Sequence, residues 1–217
     1  MIHPFLASVT RISDLTPTNF TSTPLAREFW DTGDYVVGQV QDTRGHLCAL
    51  ELPAGRMIEV MEGDLMVGAF GTRVATLEAV GDWRSIDDSG ELNALTAAGL
   101  FGKNTSLSPF ISSPMPLKYH GHVMRNDEKV TMRGSLPEIE ITDFDVPVIL
   151  IVGTSMSAGK TMSGRIIVHT LSQMGLNVVG AKLTGAARYR DMLSFKDAGA
   201  SAVFDFVDAG LPSSAVD

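Results

Sequence analysis

Val148-Ile-Leu-Ile-Val-Gly153-Thr-Ser-Met-Ser-Ala-Gly159-Lys160-Thr161 joins an apolar run to a glycine-bounded loop that ends in Gly-Lys-Thr. The run has the length and composition of a short buried strand. A strand that delivers the chain into such a loop leaves backbone N–H groups pointing inward. A helix starting at the Lys-Thr end adds its own unpaired amides, and the two together form a cradle for phosphate. In that geometry Lys160 reaches the outer phosphates as a point charge, and the Thr161 hydroxyl coordinates Mg²⁺. The expected nucleotide-binding set is Gly153, Thr154, Ser157, Ala158, Gly159, Lys160, Thr161 and Met162, holding a nucleoside triphosphate with Mg²⁺. The spacing is unusual, because five residues, 154–158, separate the two glycines where the standard loop has four.

The chain beyond the loop keeps the same pattern. Met162, Ile166, Ile167, Thr170, Leu171 and Met174 fall on one broad helical face, and Gly175 follows as a helix stop. Leu176-Asn-Val-Val-Gly-Ala-Lys182-Leu then reads as a second buried strand. Strand, loop, helix and strand make a right-handed βαβ unit. The expected fold of 147–217 is therefore an α/β P-loop domain with a Rossmann-like parallel sheet.

The loop, the amphipathic helix and Gly-Leu-Asn-Val-Val-Gly-Ala-Lys182 together resemble the start of dethiobiotin synthetase. They are also similar to the amidotransferase-type cobyrinic acid a,c-diamide synthases. The resemblance covers about the last third of the chain and implies ATP-dependent phosphoryl transfer to a small carboxylate- or carbamate-type acceptor. It implies Lys160 and Lys182 as catalytic residues, Lys182 meeting the anionic substrate, and Thr161 and Asp191 as metal ligands. Ser155 stands where dethiobiotin synthetases carry an acidic residue, and where the partition ATPases carry a lysine that reaches across a dimer. Ala202-Val-Phe-Asp205 adds an apolar run ending in aspartate, the pattern that holds Mg²⁺ through water in such enzymes, so Asp205 competes with Asp191 for the metal and Asp208 stands close by. Arg188 and Arg190 follow the second strand, where an oxyanion-bearing substrate would sit.

The N-terminal part has another texture. Tyr35-Val-Val-Gly-Gln-Val40, Leu47-Cys-Ala-Leu-Glu-Leu52, Met57-Ile-Glu-Val-Met61 and Leu65-Met-Val-Gly-Ala-Phe70 alternate with Gly- and Asp-rich turns. Short strands at that spacing predict a small antiparallel barrel or sandwich over 1–137. The segment 74–80 reads as one more strand, and Glu91-Leu-Asn-Ala-Leu-Thr-Ala-Ala-Gly-Leu100 as a short helix ending at Gly99. Asn126-Asp127 predicts a hairpin turn between 118–124 and 129–133. His120 and His122 alternate along one of these strands, so a regular strand turns both to one face. Residues 106–116, rich in Ser and Pro, predict an exposed loop or lid. An acidic connector, 138–146, leads into the α/β domain.

Composition narrows the function class. The net charge is −8, from 17 basic and 25 acidic residues, with no basic run, which disfavours nucleic acid as a partner and with it a polynucleotide kinase. No apolar stretch reaches the length of a bilayer span, and the first residues lack a secretion signal. The single cysteine, Cys48, excludes an internal disulfide and reads as a small core residue. These features predict a cytoplasmic protein without a membrane partner. About seventy residues follow the start of the α/β domain, fewer than a complete open sheet needs. The expectation is a truncated form, or a sheet completed by a partner or a homo-oligomer. The alternative to an ATP-dependent kinase or ligase is a nucleotide-dependent regulatory or chaperone-like switch. The discriminating feature is whether Lys182 and the arginines converge beside the phosphate loop or point into solvent.

Overall fold

A computed structural model describes residues 3–44, 46–75, 77–138, 145–154 and 158–215. In chain order the strands are β1 (Phe5–Leu6), β2 (Thr21–Thr23), β3 (Tyr35–Val40), β4 (His46–Leu47), β5 (Ala49–Glu51), β6 (Met57–Glu59), β7 (Leu65–Phe70) and β8 (Thr72–Val74). They continue as β9 (Ala79–Asp82), β10 (Glu91–Ala94), β11 (Leu100–Leu107), β12 (Ser113–Arg125), β13 (Glu128–Lys129), β14 (Val179–Lys182) and β15 (Ala202–Asp205). Two α-helices, α1 (Lys160–Gln173) and α2 (Tyr189–Asp197), lie in the last third.

Most of the strands form one mixed sheet of eleven, running β1-β7-β3-β12-β10-β11-β9-β8, with β2, β4 and β13 paired to β12. A further parallel pairing of β7 with β11, through Leu100↔Ala69 and Phe101↔Phe70, closes β7-β3-β12-β10-β11 into a five-stranded ring. Closure removes sheet edges that would otherwise need covering. It also forces a tight seam. A Cβ on Gly68 would lie 2.3 Å from the Gly99 carbonyl oxygen, so only glycine allows that approach. Tyr35, Phe70, Phe101, Met66, Met115 and Leu117 are fully buried in and around the ring.

The small antiparallel barrel or sandwich expected from the strand spacing is corrected to a ring within a larger mixed sheet, closed by the parallel β7–β11 pair, while β3 and β7 keep the predicted limits. Asn126 and Asp127 both adopt positive φ, 52° and 64°, and turn β12 into β13 as the hairpin signal requires. Two local readings are corrected. Segment 91–100 is not a helix. Glu91–Ala94 forms β10 between β11 and β12, with Leu92 and Ala94 buried and Glu91 exposed, a period of two that ladders on both sides enforce. Segment 74–80 is not one strand: Val74 ends β8, Ala79 opens β9, the two pair antiparallel, and Ala75 N–H donates to Ala79 O at 3.2 Å.

The fold class is corrected too. The chain is mostly β, built around the closed mixed barrel, and 147–217 does not form an α/β P-loop fold with a Rossmann-like parallel sheet. Parallel pairing in that stretch is confined to β14 and β15, Val179↔Ala202 through Lys182↔Asp205. The apolar run 148–152, read as the leading strand, forms no strand, and Val148, Ile149, Leu150 and Val152 are each more than 60 % exposed. The physical reason is pairing. An apolar run becomes a strand only where a neighbour accepts its backbone hydrogen bonds, and β14 takes β15 as its neighbour.

The end of the chain packs onto the barrel. Ala187, Phe206 and Val207 belong to the same apolar cluster as Ala7, Val9, Tyr35 and Phe70. Asp205 caps a short 3₁₀ turn, Phe206–Ala209, accepting from Val207 N–H at 2.8 Å while Asp208 accepts from Asp205 N–H at 2.7 Å. Asp205 also pairs with Arg11 of the barrel, their side chains 1 % and 6 % exposed. Ser213 Oγ donates to Thr72 O at 2.6 Å. α1 and α2 enclose a smaller apolar cluster, Val168, Met192, Phe195, Ala198 and Ala200. Among the described residues no helix is long and apolar enough to cross a membrane.

Candidate functional site

The start of α1, the chain after β14 and the rim of the barrel enclose a cleft of about 930 Å³, at the upper end of the range for small-molecule sites. Gly159, Lys160, Thr161 and Met162 line it from α1, and Lys182, Arg188 and Asp191 from the β14–α2 side. The rim contributes Arg73, Glu78 and Thr96, and the segment 213–215 closes one end.

Gly159 caps α1 with φ 83°, the left-handed region where a side chain costs about 1–2 kcal/mol. A Cβ on Gly153 would lie 3.0 Å from Lys160 Cγ and 3.1 Å from its Cδ, so the lysine stem folds back across Gly153. The first amides of α1 have no partner within the helix and carry the positive end of its dipole. Thr154 is exposed and Ala158 stands at the mouth of the loop. Ser157, the remaining member of the expected set, and Ser155 lie outside the described residues.

On the opposite side, Lys182 Nζ is bonded to the Asp191 carboxylate, at 21 % and 32 % side-chain exposure. Gly185 leaves the space the ammonium needs, since a Cβ there would lie 3.1 Å from Nζ. Asp191 follows helix residues held by Glu51 of β5, in the two-stranded β5–β6 sheet. The Glu51 carboxylate, fully buried, accepts from Tyr189 N–H at 2.8 Å, Arg190 N–H at 3.0 Å and Ser8 Oγ at 2.6 Å. A carboxylate at the first amides of a helix is well placed electrostatically. Arg11 stacks over the Tyr189 ring at 4.7 Å and adds a second tie.

The expected residues therefore sort into two groups. Gly159, Lys160, Thr161, Met162, Lys182 and Asp191 meet at one cleft, and Arg188 joins them. Asp205 does not. It faces Arg11, where burial pushes its carboxyl above the ordinary value and the guanidinium opposes that shift. Its place is a helix cap beneath the barrel. Arg190 is exposed and outside the cleft wall.

Arg73 lies outside the expected site set. Nη1 donates to Leu95 O at 2.6 Å and Nη2 pairs with Glu78. Burial lowers the pKa of its guanidinium, Glu78 opposes, and the charge of Arg188 across the cleft lowers it further. Glu51 was also missed. Its one signal was a carboxylate inside the apolar run Leu47-Cys-Ala-Leu-Glu-Leu52.

The histidines part company. The β3–β12 register shifts between Tyr119 and Gly121, and this bulge breaks the alternation that would have turned both one way. His120 is exposed beside Ser22, whereas His122 is buried between Tyr119 Oη at 2.6 Å and Asp34 Oδ2 at 3.1 Å. No group of three metal-ligating side chains occurs among the described residues. Cys48 packs half-buried against the core, and burial raises the pKa of its thiol. The loop expected over 106–116 is corrected to 108–112, since Ser106 and Leu107 end β11 and Ser113–Pro116 open β12 with Pro114 and Met115 buried; Ile111 and Ser112 line the cleft. Comparison with protein-family models, with curated proteins and with solved structures finds no match to this chain.

Proposed function

We propose that the cleft binds ATP with Mg²⁺ and transfers the terminal phosphoryl group to a small acceptor bearing a carboxylate or carbamate. The observation that carries this reading is the convergence of Lys160 and Thr161, at the start of α1, with Lys182, Arg188 and Asp191 on one cavity. It rests on the cleft and not on the fold class. Convergence favours an enzyme over a nucleotide switch, because a switch has no need of cations beyond its phosphate cradle.

Lys160 and the first amides of α1 hold the phosphates, and Lys182 with Arg188 neutralises charge on the acceptor side. Thr161 and Asp191 fit Mg²⁺, a hard cation that takes a few protein oxygens and completes its shell with phosphate and water. When bound, the ion neutralises charge on the phosphate oxygens. In the transfer, an acceptor carboxylate oxygen bonds to the γ-phosphorus as the bond from phosphorus to the β–γ bridging oxygen breaks. The diphosphate leaves with that electron pair, an acyl phosphate forms, and no proton is exchanged. Lys182 must shift from Asp191 toward the acceptor, a change that a half-exposed pair permits.

Calorimetry with ATP and Mg²⁺ tests the first half. Lys160→Ala should abolish binding while the far-UV spectrum is retained, and an unchanged affinity would refute the cradle. Lys182→Ala should keep nucleotide affinity within about threefold but remove acceptor-dependent phosphate release; equal loss of both would refute its assigned role.

A further inference from the structure

The barrel rim carries chemistry that nucleotide binding leaves unused. Arg73 projects from β8 with its side chain 15 % exposed. One end of its guanidinium is held by the Leu95 carbonyl and the other by Glu78, yet Nε has no hydrogen-bond partner among the described residues. The next residue after Leu95 is Thr96, 8 % exposed, and its hydroxyl also lacks a partner among the described residues. Both residues lie on the wall of the cleft, with Arg188 on the same cavity from the other module. A purely structural arginine accounts for the Leu95 bond and the Glu78 pair. It does not account for the Thr96 hydroxyl, a buried donor without a partner among the described residues on a residue that lines the cleft with Arg73, since buried polar groups are normally satisfied.

We infer that Arg73 and Thr96, with Arg188 opposite, form the subsite that recognises the acceptor's carboxylate, so that the barrel supplies the acceptor specificity of the nucleotide cleft. This rests on the phosphoryl-transfer reading above and names the substrate class. A planar carboxylate matches a guanidinium fork, and the threonine hydroxyl supplies one more donor. Glu78, its side chain 39 % exposed, occupies the guanidinium in the absence of acceptor and swings out when a ligand carboxylate takes its place. Acceptor binding is thus an exchange of one carboxylate for another on Arg73. The exchange gives the inference an unusual signature: removing Glu78's charge should strengthen binding, while removing Arg73 or Thr96 should weaken it.

The test uses unbranched dicarboxylates from malonate to adipate, titrated by ligand-observed NMR without nucleotide, with inorganic phosphate in a parallel arm. The expected result is saturable binding of at least one dicarboxylate. Its affinity should fall about tenfold or more in Arg73→Gln, fall severalfold in Thr96→Val and rise severalfold in Glu78→Gln. Should Arg73→Gln fail to fold by circular dichroism, the opposed signs of Thr96→Val and Glu78→Gln decide the matter. Absence of saturable dicarboxylate binding, binding of phosphate alone, or affinities indifferent to these substitutions would each overturn it. The titrations contain no nucleotide, so the calorimetry on Lys160→Ala and these experiments can fail independently.

Discussion

A single buried carboxylate at the base of the aromatic cluster sets how the molecule meets acid. Asp34 is 1 % exposed and holds both His122 Nε2 and Lys129 Nζ, the latter at 2.8 Å. Burial pushes its carboxyl up, but the bonds from His122 and Lys129 and the Lys129 charge outweigh that, so its pKa is lowered. A depressed native pKa stabilises the fold above the unfolded value, and the gain is lost as pH falls through the native value. Acid should therefore weaken the protein below about pH 4, where a free aspartate protonates. Urea midpoints measured against pH should show Asp34→Asn less stable near neutrality and with a shallower acid limb. Two parallel curves would show that Asp34 carries no such linkage.

At the scale of elements, α2 depends on a residue far from it in sequence. Glu51 in β5 supplies the acceptors for the first amides of α2, and the next residue, Asp191, faces the cleft. Glu51→Ala should cost about 2–3 kcal/mol, the loss expected when hydrogen bonds to a buried charged group are removed. Amide exchange at Tyr189 and Arg190 should accelerate along with the fall in urea midpoint, and unaltered exchange would rule out the capping role. This contact was not legible in the sequence, because nothing local in either segment points to the other. Elements whose cause is local were legible: β3 and β7 from their apolar runs, the β12–β13 turn from Asn126-Asp127, and the Gly159 start of α1, though not its buried face, since Met162, Ile166 and Met174 are exposed while Gly164 and Val168 are buried. The failures share one origin. The spacing of Glu91 to Leu100 suits a helix until two ladders impose a period of two, and 148–152 suits a strand until a neighbour is required. The cleft was half legible for the same reason: its α1 side follows from a motif, while Arg73 and Thr96 reach it through the closure of the barrel.

Over the whole molecule, the last third is bound into the barrel by core packing, not merely appended. Phe206 is 7 % exposed within the barrel's apolar cluster, and its replacement by alanine should cost about 3–5 kcal/mol. Trp30 and Trp83 both pack around Phe70, with ring centroids 4.8 Å and 5.7 Å away, so their fluorescence reports the barrel. The far-UV helical signal reports α1 and α2. In urea the two signals should change together in the wild type, and Phe206→Ala should lower both midpoints equally. A helical transition that moved alone would show the modules to be energetically separate.

The ion pair between Arg11 and Asp205 joins positions 194 apart, and it carries a consequence for a chain still being made. A ribosome adding about 5–20 residues per second would take roughly 10–40 s to pass from one partner to the other. Throughout that interval the emerging chain holds a cation whose counter-charge has not been synthesised, beside Ala7 and Val9 still waiting for Phe206 and Val207. The barrel's strands are available early, but Phe206 and Val207 complete its apolar cluster only late in synthesis.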